Sequence, residues 1–378
     1  MNRREFVTLA GAVGAGVLGP SRSAAEGGLR AQATARPATM VVGCQRPPTD
    51  ARQLQHFKRH GVDHICGFPP GPDDPASWSV ESLSKLRDLC ASHGISLDMI
   101  QFPSLSSASI DRLSQQHPLV QQTPATGRKG IMLGKDPERQ QEIDQVLQII
   151  RTCARVGIPA IKYNMNLLGV LRTPDTPGRG GSRYSTWKLA DAKEDPPLTA
   201  AGVVTADAAW ERITYFLERV VPVATEYKVR LACHPHDPGV PPRGFRGVAR
   251  VLGTVDGMKR FVDIAPSPYH GLNLCLGSAA EMLRDPKTEI HDVIRYFGER
   301  KKIFNIHFRN IRGRRDDFQE VFPDEGDMDM PAVMRTLKAV GYQYMVMPDH
   351  MPHHDDDPRQ DQAFAFGYGY IKALIQAV

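Results

Sequence analysis

Leu231-Ala-Cys-His-Pro-His-Asp-Pro238 packs two histidines, a cysteine and an aspartate into one short stretch. The apolar run that enters it starts at Val229 and closes at His234, because Pro235 cannot continue a strand ladder. The stretch is a strand end with metal-capable side chains. Taken alone it is a metal site, one corner of a larger site, or only a polar strand end. The other strand ends decide between these.

Seven more short apolar runs precede and follow it: Met40–Cys44, His64–Phe68, Ser96–Phe102, Ala160–Met165, Gly271–Gly277, Ile303–Arg309 and Gln343–Asp349. Between the runs lie longer amphipathic segments, among them Thr49–His60, Val80–His93, Pro137–Val156, Ala206–Tyr227, Lys287–Arg300 and Met330–Val340. Several of these close on glycine, at Gly61, Gly94, Gly157 and Gly341, the usual stop before a following strand. Eight strand–helix units predict a closed parallel (β/α)8 TIM barrel. An open doubly wound sheet is the alternative, but no GxGxxG follows the first strand. Arg172–Pro197, rich in Gly, Pro and Thr, is too long for an ordinary connection after the fourth strand, and is expected over the active-site face.

In such a barrel the reactive groups gather at the carboxyl ends of the strands. The fifth strand ends in His234, the sixth in Cys275, the seventh in His307, and the eighth in Asp349 followed by His350. Neighbouring strands lie about 4.8 Å apart, so four adjacent ends can converge on one ion. Imidazole, thiolate and carboxylate are all ligands for a divalent transition metal. Each residue alone has a plain structural reading, as a core cysteine or a capping aspartate; four at equivalent positions do not share one. By strand alternation Cys233 points away from His234, toward a helix. His236 lies beyond Pro235, where direction is not readable, and Asp237 is either support for the site or loop structure. His353-His-Asp-Asp-Asp357 reads as a solvated loop.

The bulk numbers exclude other classes. The 378 residues are 41% hydrophobic and 24% charged, with a formal charge of only +5 and no basic tract, so no nucleic-acid partner is expected. The six cysteines form no CxxC pair and no dense framework. The first 25 residues differ in kind. Asn2-Arg-Arg-Glu-Phe-Val7, an apolar run to Leu18 and Ser23-Ala-Ala25 read as a twin-arginine export signal. About a dozen apolar residues are too few for a stable membrane anchor. Residues 26–38 read as a flexible linker, and 39–378 as the barrel. The chain is then a client of the twin-arginine machinery, periplasmic or secreted. Its oligomeric state stays open, a homo-oligomer included.

The second half resembles the mannonate dehydratase family, within the xylose-isomerase-like barrel superfamily. The resemblance is carried by Val221–Pro238, Leu274-Cys-Leu-Gly-Ser278, Ile306-His-Phe-Arg309, Gly326-Asp-Met-Asp-Met330 and Met347-Pro-Asp-His350, with Tyr163-Asn164 and Leu171-Arg-Thr173 earlier. It implies a metal-dependent lyase that removes water from D-mannonate or a related sugar acid to give a 2-keto-3-deoxy acid. It also implies one metal, Mn2+ foremost and Fe2+ or Zn2+ as alternatives, on His234, Cys275, His307 and Asp349, with His350 as acid/base. On ligand type alone the soft Cys275 favours Zn2+. By position, Arg172 and Arg309 are candidates to hold the substrate carboxylate. The family's catalytic tyrosine falls near Ala365, with Tyr368 and Tyr370 close by. Two other functions are compatible with the same residues: a sugar isomerase or epimerase of this superfamily, and a non-catalytic periplasmic sugar-binding protein.

Overall fold

The computed structural model describes residues 40–72, 74–102, 105, 129–195, 197–199 and 201–378. The export signal and linker, at 1–38, lie outside the described residues.

In chain order the strands are β1 (Val41–Cys44), β2 (His64–Gly67), β3 (Ser96–Phe102), β4 (Ala160–Asn164), β5 (Thr173–Pro177), β6 (Arg183–Lys188), β7 (Arg230–His234), β8 (His270–Cys275), β9 (Ile303–His307), β10 (Asn310–Arg314), β11 (Asp317–Val321) and β12 (Met345–Met347). The helices are α1 (Ala51–Arg59), α2 (Val80–Ser92), α3 (Lys129–Leu133), α4 (Glu138–Val156), α5 (Ala206–Glu226), α6 (Val255–Asp263), α7 (Leu276–Ala280), α8 (Pro286–Glu299), α9 (Met330–Ala339) and α10 (Asp361–Ala377). β1, β2, β3, β4, β7, β8, β9 and β12 close into a parallel barrel in that order, with β12 back on β1. This is the closed alternative of the two weighed from sequence. None of the described helices is long and apolar enough to cross a membrane.

The four glycine stops behave as their position predicts. Gly61, Gly94, Gly157 and Gly341 all adopt left-handed φ, from 66° to 85°. A Cβ makes that conformation costly, so the chain turns there into the next strand.

Each strand buries two faces. The outer faces pack on the helices in one large apolar cluster, and Cys233 lies there, as alternation requires. The inner faces fill the barrel with Cys66, Met99, Ala160, Ala232, Phe304, Met345 and Met347. The interior is packed below the rim, so the site can sit only at its mouth.

Arg172–Pro197, too long for an ordinary connection, has regular structure. It holds the hairpin β5–β6, which joins the hairpin β10–β11 in a separate four-stranded antiparallel sheet. Phe318 pairs with Trp187 and Gln319 with Thr186. The buried Tyr184 and Trp187 supply the apolar face that a stable sheet needs, and Trp187 meets Phe245 edge-on. The sheet links the excursions that follow barrel strands β4 and β9, and so carries side chains from distant parts of the chain to the barrel mouth.

Candidate metal and catalytic centre

His234, Cys275 and His307 are the last residues of β7, β8 and β9; Asp349 follows β12 by two. One ligand atom from each lies within 4.8 Å of all the others. His307 Nδ1 is 3.1 Å from Asp349 Oδ1, and Cys275 Sγ is 3.5 Å from Asp349 Oδ2. One ion bound at ~2.0–2.3 Å holds its donors roughly 3.5 Å apart, and the observed separations bracket that. Leu231–Pro238 contributes His234 to this cluster.

The local chemistry fits a cation. His234 Nδ1 lies 2.7 Å from the Pro235 carbonyl; donating there leaves the Nε2 lone pair for a metal. Both ring nitrogens of the buried His307 lack a hydrogen bond, an orphaned donor pair beside a carboxylate and a thiol. Burial pushes His234 well below the usual imidazole range and His307 down to about 4, so both imidazoles are neutral, the form a metal ligand needs. Burial opposes the charge of Asp349, but His307, His350 and Arg309 outweigh it and hold the carboxyl ionised. Cys275 caps the N-terminus of α7, with Sγ accepting from Ser278 N at 3.4 Å. Burial alone raises its thiol strongly. A bound cation deprotonates such a group.

Behind this set lies a second polar cluster. Asp237, Glu320 and His350 offer atoms within 4.8 Å of one another, but guanidinium groups already occupy the space between the acids. Arg309, its side chain fully buried, reaches Asp237 Oδ2 and Glu320 Oε1 at 2.6 Å each, and Glu281 Oε1 at 3.1 Å. Arg172 reaches Asp237 Oδ1 at 2.7 Å and also bonds Glu320. Both are held by carboxylates of the protein itself, because two buried guanidinium groups need anions within reach. Gly277 permits the arrangement, since a Cβ there would collide with Arg309.

His350 is where its sequence position suggested, beside Asp349, with its side chain 20% exposed. Its Nδ1 lies 2.9 and 3.0 Å from the two oxygens of Glu320. Burial lowers its proton affinity, while Glu320 and Asp349 raise it more, so its pKa stands above the ordinary value. Burial likewise raises Glu320, but Arg172, Arg309 and His350 bring it down to about 2. Glu320 thus stays an anion beside the imidazole, whose Nδ1 also lies 2.6 Å from Arg309 Nη1.

Sequence reasoning missed Glu320 and Glu281. Nothing in Asp317-Phe-Gln-Glu320 distinguishes a functional acid from a surface strand residue. Asp237, left between two readings, is part of the network. His236 is structural: its Nε2 bonds the Met165 carbonyl at 2.8 Å. Asp357 is not solvated but buried, accepting from three backbone N–H groups at the start of α10. Tyr368 is turned away from the centre, its hydroxyl 2.8 Å from Cys44 Sγ, and Tyr370 packs on Phe308 and Phe366.

The chain is similar to known proteins over most of its length. The mannonate dehydratase of Endomicrobium trichonymphae is 26% identical over 322 residues, covering 75% of this chain and 80% of that protein. The crystal structure of mannonate dehydratase from Streptococcus suis superposes with a TM-score of 0.72 at 23% identity, covering 90% of this chain and 93% of that one. A xylose isomerase domain protein from Planctomyces limnophilus shares the barrel at a TM-score of 0.54 and 14% identity, covering 91% and 99%. The family model described as D-mannonate dehydratase (UxuA) matches residues 183–378, just over half of the chain and all four strand ends of the centre. The chain belongs to the D-mannonate dehydratase family, a family of hydro-lyases, built on a xylose-isomerase-like TIM barrel.

Proposed function

We propose that the protein is a metal-dependent hydro-lyase that removes water from D-mannonate or a closely related sugar acid, giving a 2-keto-3-deoxy acid. The observation that carries this is the convergence of His234, Cys275, His307 and Asp349 next to His350, whose Nδ1 lies against Glu320 and Arg309. These four would hold one divalent ion, Mn2+ in our reading. When bound, the ion supplies Lewis acidity for the negative charge that develops beside the substrate carboxylate.

The chain's own residues do the rest. The reaction takes the proton from the carbon next to the carboxylate and returns one to the hydroxyl leaving the following carbon, so one water is lost and no oxidant is needed. His350 is suited to move a proton, because the Glu320 and Asp349 carboxylates raise its proton affinity against burial. Arg172 and Arg309 act through others: they hold Asp237 and Glu320, and through Glu320 they hold His350. The packed interior below the rim keeps water from reaching the centre from beneath.

The test is turnover of freshly purified, metal-loaded protein on D-mannonate, read as 2-keto-3-deoxy acid. Aldose–ketose interconversion of neutral sugars, with no keto-deoxy acid formed, would replace the dehydratase by an isomerase. Ligand affinity without any turnover would leave a binding protein.

A further inference from the structure

β4 reads Ala160-Ile-Lys-Tyr-Asn164. Ala160 belongs to the barrel interior, and Ile161 and Tyr163 to the outer core, so alternation sends Lys162 inward. Asn164 pairs with His234, and Lys162 pairs with Ala232 one pleat lower. Ala232 in turn pairs with Gly271. Ala232 is a minimal side chain beside it, while the space over Gly271 is taken by Phe304. Lys162 is therefore a lysine inside the barrel, one layer beneath the four donors and only 4% exposed.

No hydrogen bond or ion pair of its ammonium is found among the described residues, and burial lowers its proton affinity while the nearby anionic groups oppose that. A buried charge without a partner is costly, and proteins seldom keep one without a use. The charges that act on it, beyond burial itself, come from Cys66, Asp349, Cys275 and Cys233, and its own charge reaches His234 and His307. Its surroundings are thus the donors themselves.

A charge count gives it a task. A divalent cation on the Cys275 thiolate and the Asp349 carboxylate makes a neutral centre. Arg172 and Arg309 add nothing toward a ligand, being matched by Asp237 and Glu320. Of the cations outside these pairs, Arg250 sits on backbone carbonyls and His350 on Glu320, and Lys162 is the one inside the barrel beneath the donors. We propose that Lys162 is a positioning residue of the metal centre: a fixed positive charge beneath the donors that loosens the hold on the divalent ion and leaves the loaded centre net positive, matched to an anionic sugar acid rather than a neutral sugar. This rests on the metal reading above.

The test uses Co2+ as probe, titrated in competition with a chromophoric chelator, on wild type, Lys162→Met and Lys162→Arg. D-mannonate is then titrated against the visible spectrum of each cobalt-loaded protein. Removing a nearby like charge strengthens cation binding, so Lys162→Met should hold Co2+ about tenfold more tightly and need about tenfold more mannonate. Lys162→Arg, which keeps the charge, should stay within about twofold on both. A merely structural lysine would give the opposite sign, since damage to the barrel weakens metal binding. Equal or weaker cobalt affinity in Lys162→Met overturns the counterweight, and an unchanged mannonate requirement overturns the charge selection. Wild-type protein that takes up no cobalt removes the metal reading itself, a different failure. Should Lys162→Met not fold, Lys162→Gln carries the same comparison.

Discussion

Glu320 holds His350 with both of its carboxylate oxygens, at 2.9 and 3.0 Å from Nδ1. The two residues come from different sheets: Glu320 from β11 in the antiparallel excursion, His350 from the rim of the barrel after β12. The excursion sheet therefore brings a carboxylate to the imidazole at the barrel mouth. Losing the Glu320 charge should lower kcat by about 10- to 100-fold while metal content is kept. Glu320→Gln, assayed for turnover and bound metal together, checks this. A parallel loss of metal would mean that Glu320 supports the donors instead.

Metal retention separates the donors from the proton carrier. His234→Ala and Asp349→Ala should lose the ion, measured by elemental analysis after gel filtration. His350→Asn should keep it and lose roughly a hundred- to ten-thousand-fold in turnover. Full occupancy in the first two variants would show that the ligand shell is assigned wrongly.

Metal binding should release about one proton near neutral pH. His234 and His307 are already neutral and Asp349 already ionised, so Cys275 is the one donor that must give up a proton. Calorimetric titration of the metal into buffers of different ionisation enthalpy reads the number directly. A value near zero would exclude Cys275 as a thiolate ligand.

Arg309 holds the charge network together. Replacing it by Met leaves Asp237 and Glu320 buried with half their compensation, and should cost about 3–5 kcal/mol of stability. Denaturant unfolding of metal-free protein measures it. A loss below about 1 kcal/mol would mean that Arg172 alone satisfies both acids.

At the opposite end of the barrel, His64 Nδ1 pairs with Asp98 Oδ2 at 2.7 Å across β2 and β3. The Asp98 hydrogen bond raises the His64 pKa above the ordinary value, against burial. A raised folded-state pKa stabilises below the unfolded value of about 6.5, and the gain is lost as pH climbs through the folded value. His64→Gln should therefore melt lower than wild type at pH 5.5, with the gap closing above neutrality. A gap that widens with pH would reverse the assignment.

The barrel and its four donors were legible in the chain because both follow from local pattern. Short apolar runs, amphipathic segments and left-handed glycine stops repeat with the period of a strand–helix unit. In a parallel barrel every strand delivers its last residue to the same rim, and hydrogen bonding fixes the spacing between strands. His234, Cys275, His307 and Asp349 meet for that reason, with no further information needed. The partners of His350 and of the two arginines were decided only by the tertiary structure. Arg172 and Glu320 are 148 residues apart and meet because two hairpins pair antiparallel outside the barrel. Nothing local marks that pairing, and whether a buried guanidinium meets a substrate or a carboxylate of its own chain depends on which acids the fold brings within a few ångströms. Charge in a low-dielectric interior is a property of the neighbourhood, and the neighbourhood exists only once the chain has closed.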